Sequence, residues 1–290
     1  MPESLSSSLA ALADPVAFRV KRAIVGEVRA FFHDRARGEG PVVRRPDGLF
    51  GPNSVAWRVH ADVTSMMVGG VAALLLQMLQ PAVMAGVWDH SNFREDMLGR
   101  LRRTARFIAV TTYAAREDAE AAIARVRGIH DRVRGALPDG TPYEASDKRL
   151  LAWVHVAETT SFLDAWIRYG ELRMTSADQD RYFAEMAQIA EALGADPVPR
   201  SRAEALHQIE ALRSELRSDA RTREVVRLVP GQRGPNRAAD AFQQMVFRAA
   251  IDLLPPWARQ MHGLPEPTLL TPLVRAGTSG MARAMRWAFR

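Results

Sequence analysis

Cysteine is absent from the 290 residues. That excludes disulfides, thiolate zinc sites, thiolate-held clusters and a cysteine nucleophile. Any metal or redox chemistry therefore rests on the seven histidines, on carboxylates or on a bound cofactor. Lysine is nearly absent too: only Lys21 and Lys148 occur, so arginine carries almost all the positive charge behind the formal +6. Arginines alternate with acids, as in Arg116-Glu117-Asp118 and Arg202 through Glu204. Nucleic-acid binding requires basic residues gathered on one face, with aromatics for stacking on single strands. Alternating charges read instead as solvated helix faces, so no nucleic-acid partner is expected.

Long apolar runs are missing as well. Met66 to Leu79 spans 14 residues and includes Gln77, short of the roughly 20 needed to cross a bilayer. It reads as a core helix, and no transmembrane span is expected. The opening MPESLSSSLAALADP has an early acid, no basic start and no long apolar centre. It does not read as a secretory signal, and a cytoplasmic location is the expectation. No G-x-S-x-G, P-loop, H-E-x-x-H or dinucleotide glycine pattern occurs.

What is present is helix-forming sequence. Alanine, leucine, arginine and glutamate dominate, and runs of β-branched residues are nearly lacking. The spacing predicts helices over 15–32, 55–79, 92–113, 117–135 and 146–169, with Asp14 capping the first. Loops are expected over 38–52 and at Leu137-Pro-Asp-Gly-Thr-Pro142. Ser176…Gln179 and Ser201…Glu204 have capping-box spacing and open two more helices. Pro230 to Pro235 reads as a loop, and Pro255-Pro256 ends a helix that begins near Arg237. Gly69-Gly70, inside an apolar helix, marks a close helix contact. The expected fold is all-α: one large domain over 1–290, an orthogonal multi-helix bundle.

Two histidines fall on apolar helical stripes. His130 shares its face with Ala119, Ala122, Ile123, Val126, Val133 and Leu137. His155 shares its face with Leu151, Ala152, Phe162 and Trp166, and Glu158 and Thr159 follow one turn on. Each reads either as a core histidine bonded to a carbonyl or as a ligand. His60, His130, His155 and Glu158 come from three helices and form an alternative transition-metal set without haem. His155-x-x-Glu158 has half-site spacing for a carboxylate-bridged metal, but in reverse order and only once. His33 sits near a helix C-terminus, His207 reads as exposed, and His90 and His262 fall in or near loops.

A run of segments carries a resemblance. These are Leu74-Leu-Leu-Gln-Met-Leu-Gln-Pro81, Gly86-Val-Trp-Asp-His-Ser91, Phe93-Arg94, Arg100-Leu-Arg-Arg-Thr104 and Val126-Arg-Gly-Ile-His-Asp-Arg-Val-Arg-Gly135. Tyr143-x-Ala-x-Asp147, Leu151-Ala-Trp-Val-His155 and Leu254-Pro-Pro-Trp-Ala-Arg259 continue it. The sequence resembles the oxygenase family of MpaB and rubber oxygenase (latex clearing protein) over about 14–264, leaving 265–290 as a tail. The resemblance implies an all-helical oxygenase that binds haem b through one axial histidine and cleaves a carbon–carbon double bond of an apolar, unsaturated small molecule with dioxygen. It implies His130 as that ligand, with His155 as a neighbour or the ligand itself. It implies a haem pocket lined by Arg100 and Thr104, four residues apart on one helix face, and a catalytic set of Arg100, Arg103 and Thr104. Arg103 stands where the rubber enzymes have lysine, and Gln80 where many members have histidine before proline. Arginines on helices can pair with porphyrin propionates, and neutral imidazole is a suitable iron ligand. A helical binding module with structural histidines, and no catalysis, fits the composition equally.

Overall fold

The computed structural model describes residues 15, 17–26, 28, 40–231 and 236–289. Residues 17–26 are helical. The helices that follow are α1 (Val55–His60), α2 (Val63–Gln77), α3 (Pro81–His90), α4 (Met97–Tyr113) and α5 (Arg116–His130). A two-stranded antiparallel hairpin, β1 (Arg134–Ala136) and β2 (Pro142–Glu144), pairs Gly135 with Tyr143. Then come α6 (Lys148–Tyr169), α7 (Ser176–Leu193), α8 (Arg202–Leu212), α9 (Ala220–Gly231), α10 (Arg237–Leu253), α11 (Pro256–His262) and α12 (Thr271–Phe289). The protein is all-α.

Helices α2 and α6 form the centre and pack on one another. Both bury residues around most of their circumference, as expected of helices enclosed by others. Trp153, Val156 and Leu163 of α6 and Val68, Leu75 and Leu76 of α2 are sealed from solvent. At Gly69 a Cβ would come within 2.8 Å of the Phe162 ring and 2.9 Å of its Cα, so the missing side chain sets how closely the two helices approach. This is the close contact that Gly69-Gly70 predicts. Around the pair lie α10 and α12 on one side and α1, α4, α5 and α7 on the other.

A helix that ends in a core leaves carbonyls that need donors. At the end of α2, Gln77 O accepts from Trp153 Nε1 at 3.1 Å, and Leu75 O accepts from His262 Nε2 at 2.8 Å. Just beyond, Leu79 O accepts from Arg217 N at 2.7 Å. His262 is thus buried and structural, not a loop residue. The chain turns by 105° into α3, where Gln80 caps by accepting from Ala82 N at 2.6 Å and Pro81 occupies the first position.

Several expected boundaries move. The helix read over 55–79 is two, because Asp62 turns inward and caps α2, accepting from Ser65 N at 2.8 Å. The helix read from 117 to 135 stops at His130, and 134–136 becomes β1. The helix read from 92 begins at Met97, with Asp96 as its cap. Thr175, not Ser176, caps α7, whereas Ser201 caps α8 as its spacing predicts. Residues 271–289, read as tail, form α12, which packs on α10, α2 and α6. Asp14, His33 and 232–235 lie outside the described residues. Among the described residues no single helix is long and apolar enough to cross a membrane.

Candidate functional site

One face of α4 carries Arg100, Leu101, Thr104, Ala105 and Ile108, the i, i+4, i+8 pattern of a helical stripe. It faces Met66, Met67, Gly70, Val71, Leu74 and Gln77 of α2, and Glu158 and Phe162 of α6. Between them lies a mainly apolar cavity of about 380 Å³, with His60, Arg44 and Phe289 also in its wall. Small-molecule sites run roughly from 300 to 1,000 Å³, so this cavity is large enough to be one.

A second cavity of about 70 Å³ lies alongside. His130, from the last turn of α5, and His155, from α6, both line it, with Phe107, Thr111, Val154 and Met186 among its other walls. His60, Ile108, Glu158 and Phe162 border both spaces and form the partition between them. Residues from 25 (His130 and His155) to 98 (His60 and Glu158) positions apart in sequence are thereby gathered at one place. The hydroxyls here are spent on their own helices: Thr159 donates to His155 O at 2.8 Å and Thr111 to Phe107 O at 2.9 Å.

Three polar atoms at these cavities are sealed from solvent without a hydrogen-bond partner: Arg100 Nη1, His130 Nδ1 and His155 Nε2. A buried polar group left unpaired costs about 1–3 kcal/mol, and more when charged. Burial lowers the pKa of His130 against a smaller opposing effect of Asp131, and it brings His155 down to about 4. Both rings are therefore neutral near pH 7. Burial also pushes the Glu158 carboxyl up to about 7, opposed by a hydrogen bond from Gln77 and by the charge of Arg100. Arg100 is brought down to about 10, mainly by burial and secondarily by Arg103.

Two expected members stand apart. Arg103 points away from both cavities and bonds Asn92 Oδ1 at 3.2 Å and Asp96 at 3.5 Å. It falls outside the arc of α4 that Arg100, Leu101, Thr104, Ala105 and Ile108 turn to the cavity. His60 is at the partition, but both ring nitrogens are engaged, with Thr112 Oγ1 at 2.7 Å and the Tyr182 hydroxyl at 2.9 Å. That removes it from a metal set. Among the described residues no three histidine or carboxylate side chains converge as metal ligands. Gln80 serves as the cap of α3. Gln77 is the site residue that sequence reasoning passes over; its one signal is a polar side chain interrupting an apolar helix, in register with Gly70 and Leu74.

Residues 57–288 match the family described as ER-bound oxygenase mpaB/B'/Rubber oxygenase, catalytic domain. The chain belongs to this family. The match takes in the whole lining of the smaller cavity, the α2, α4 and α6 walls of the larger one and α12 as far as 288, beyond the 264 at which the resemblance stops. No curated protein and no solved structure matches the chain. The donor atoms at these cavities are of the kind a haem calls for: two neutral imidazoles, each with an unpaired ring nitrogen, and a guanidinium with one nitrogen lacking an acceptor. The space beside the imidazoles is small, and the larger volume lies across the Ile108, Glu158 and Phe162 partition.

Proposed function

We propose that this chain is a haem b-dependent oxygenase acting on an apolar, unsaturated small molecule, with His130 as the axial imidazole. The observation that carries the reading is that His130 and His155, each with one buried ring nitrogen lacking a partner, line a cavity sharing four wall residues with the apolar cavity of Arg100 and Thr104. A haem held by His130 would supply the redox chemistry for cleaving a carbon–carbon double bond with dioxygen. The chain does the rest. Burial keeps His130 neutral, so one nitrogen offers a lone pair to iron. Met66, Met67, Val71, Leu74 and Ile108 exclude water and hold a hydrocarbon body. Arg100 and Thr104 place polar contacts in an otherwise greasy wall, and His155 stands as the second imidazole beside His130.

The test is the absorption spectrum of freshly purified protein, before and after added hemin. A Soret band is expected, lost in His130→Ala and retained in His155→Ala, with both variants folded by circular dichroism. Loss in His155→Ala alone moves the ligand to His155. Wild-type protein that is colourless and takes up no hemin overturns the reading.

A further inference from the structure

A cation enclosed in an apolar wall needs an anion, and three arginines line the larger cavity. Arg44 stacks its guanidinium 4.7 Å from the centre of the Tyr113 ring, and Arg106 donates to Gly40 O at 2.9 Å. Arg100 is different. Its Nη1 is buried without a hydrogen-bond partner, and Glu158, the carboxyl in the same cavity, acts on it as a charge but forms no hydrogen-bonded pair with it. Proteins seldom leave a buried charge uncompensated, because removing an ion from water is expensive.

We propose that the larger cavity binds an apolar monocarboxylic acid, its hydrocarbon chain along α2 and its carboxylate on Arg100. The proposal deepens the oxygenase reading, on which it rests for what happens to the ligand, by naming the head group of the substrate. The chemistry selects that head group. A planar carboxylate matches the guanidinium fork and gains charge-assisted hydrogen bonds. A phosphate carries more negative charge than one guanidinium offsets. A neutral ligand leaves Nη1 as it is. Beyond the head group the wall is Met66, Met67, Val71, Leu74, Ile108 and Phe162, which offers an alkyl or alkenyl chain contact but no hydrogen bonds. Thr104, one turn from Arg100 on the same helix face, puts a hydroxyl beside the head group.

A carboxylate on an apolar body can also come from the propionates of a porphyrin, and the experiment separates the two sources. Binding of 10-undecenoate and of 10-undecenol, which differ in the head group alone, is measured by titration calorimetry at pH 6, below the value of about 7 to which Glu158 is raised. The protein is used as purified, as wild type, Arg100→Gln and Arg100→Lys. The acid is expected to bind at least tenfold more tightly than the alcohol. Arg100→Gln is expected to abolish that preference and Arg100→Lys to keep part of it. Equal affinity for acid and alcohol in the wild type, or binding of neither, overturns the proposal. So does an Arg100→Gln protein that loses its Soret band while keeping the acid preference, since Arg100 then serves the macrocycle. If Arg100→Gln does not fold, the wild-type ratio and Arg100→Lys still decide. Colourless protein that prefers the acid sinks the haem reading and leaves this one standing; red protein indifferent to the head group does the reverse.

Discussion

Glu158 sits where a carboxyl is costly to ionise, between two cavities with Gln77 as a donor and Arg100 on the opposite wall. A raised carboxyl pKa means that the folded state holds its proton more tightly than the unfolded chain does. The stabilisation is fully present below the ordinary value of 4.5 and is lost as pH rises toward about 7. Glu158→Gln, which is neutral throughout, should therefore stabilise the protein at pH 8 by on the order of 1–3 kcal/mol and change little at pH 4.5. Thermal melts at the two pH values check this, and an equal shift at both refutes it. His155 works in the opposite sense. Its pKa is depressed, so its contribution is present above about 6.5 and drains away as pH falls toward about 4. Periodicity alone put His130, His155 and Glu158 on inward faces. It could not show that His60, on an equally apolar face, is consumed by Thr112 and Tyr182, because both partners come from distant helices.

At the scale of elements, the α2–α6 crossing separates two adjacent glycines that look alike in sequence. A Cβ at Gly69 meets Phe162 at 2.8 Å, whereas at Gly70 the nearest atom, on the same ring, is 3.6 Å away. Gly69→Ala should cost about 1–3 kcal/mol through overpacking. Gly70→Ala should be neutral or gain up to about 1 kcal/mol of helix propensity. Urea unfolding of the two variants provides the comparison, and equal losses would remove the crossing as the cause. The helix boundaries that moved share one explanation. Apolar spacing runs unbroken through Asp62 and through Arg134–Ala136, so periodicity continues the helix. The cap at Ser65 and the pairing of β1 with β2 are decided by partners. Gly135 lies under the Tyr143 ring, where a Cβ would come within 2.7 Å of the hydroxyl; this is strand geometry that helix counting cannot detect.

For the whole molecule, Asp62 ties the far end of the chain to its centre. It is almost wholly buried, caps α2, and accepts from Arg286 Nη1 of α12 at 2.6 Å, while Arg286 Nη2 donates to Tyr169 O at 3.2 Å. Breaking one side of a buried pair leaves a charge without compensation. Asp62→Ala should lose roughly 3–5 kcal/mol from the lost pair and cap together. Asp62→Asn, which can still cap, should lose less. Chemical denaturation of both variants reads the difference, and equal losses would show that the cap contributes nothing beyond the pair. Helix α12 is therefore part of the fold, although its sequence, with Leu269, Leu270 and Leu273 exposed, has little that marks it as core.

The amino-acid order by itself determined the helical class, the absence of thiol chemistry, the inward faces of α4 and α6, and the family. These follow from composition, from a period of 3.6 residues and from motif order, all of which are local or linear. Only the tertiary structure decided which inward histidines have a ring nitrogen without a partner, that Arg103 leaves the site, and that Arg100 Nη1 has no hydrogen-bond partner. Hydrogen-bond satisfaction is a property of neighbours brought together from 50 to 120 residues apart, and no local pattern carries it.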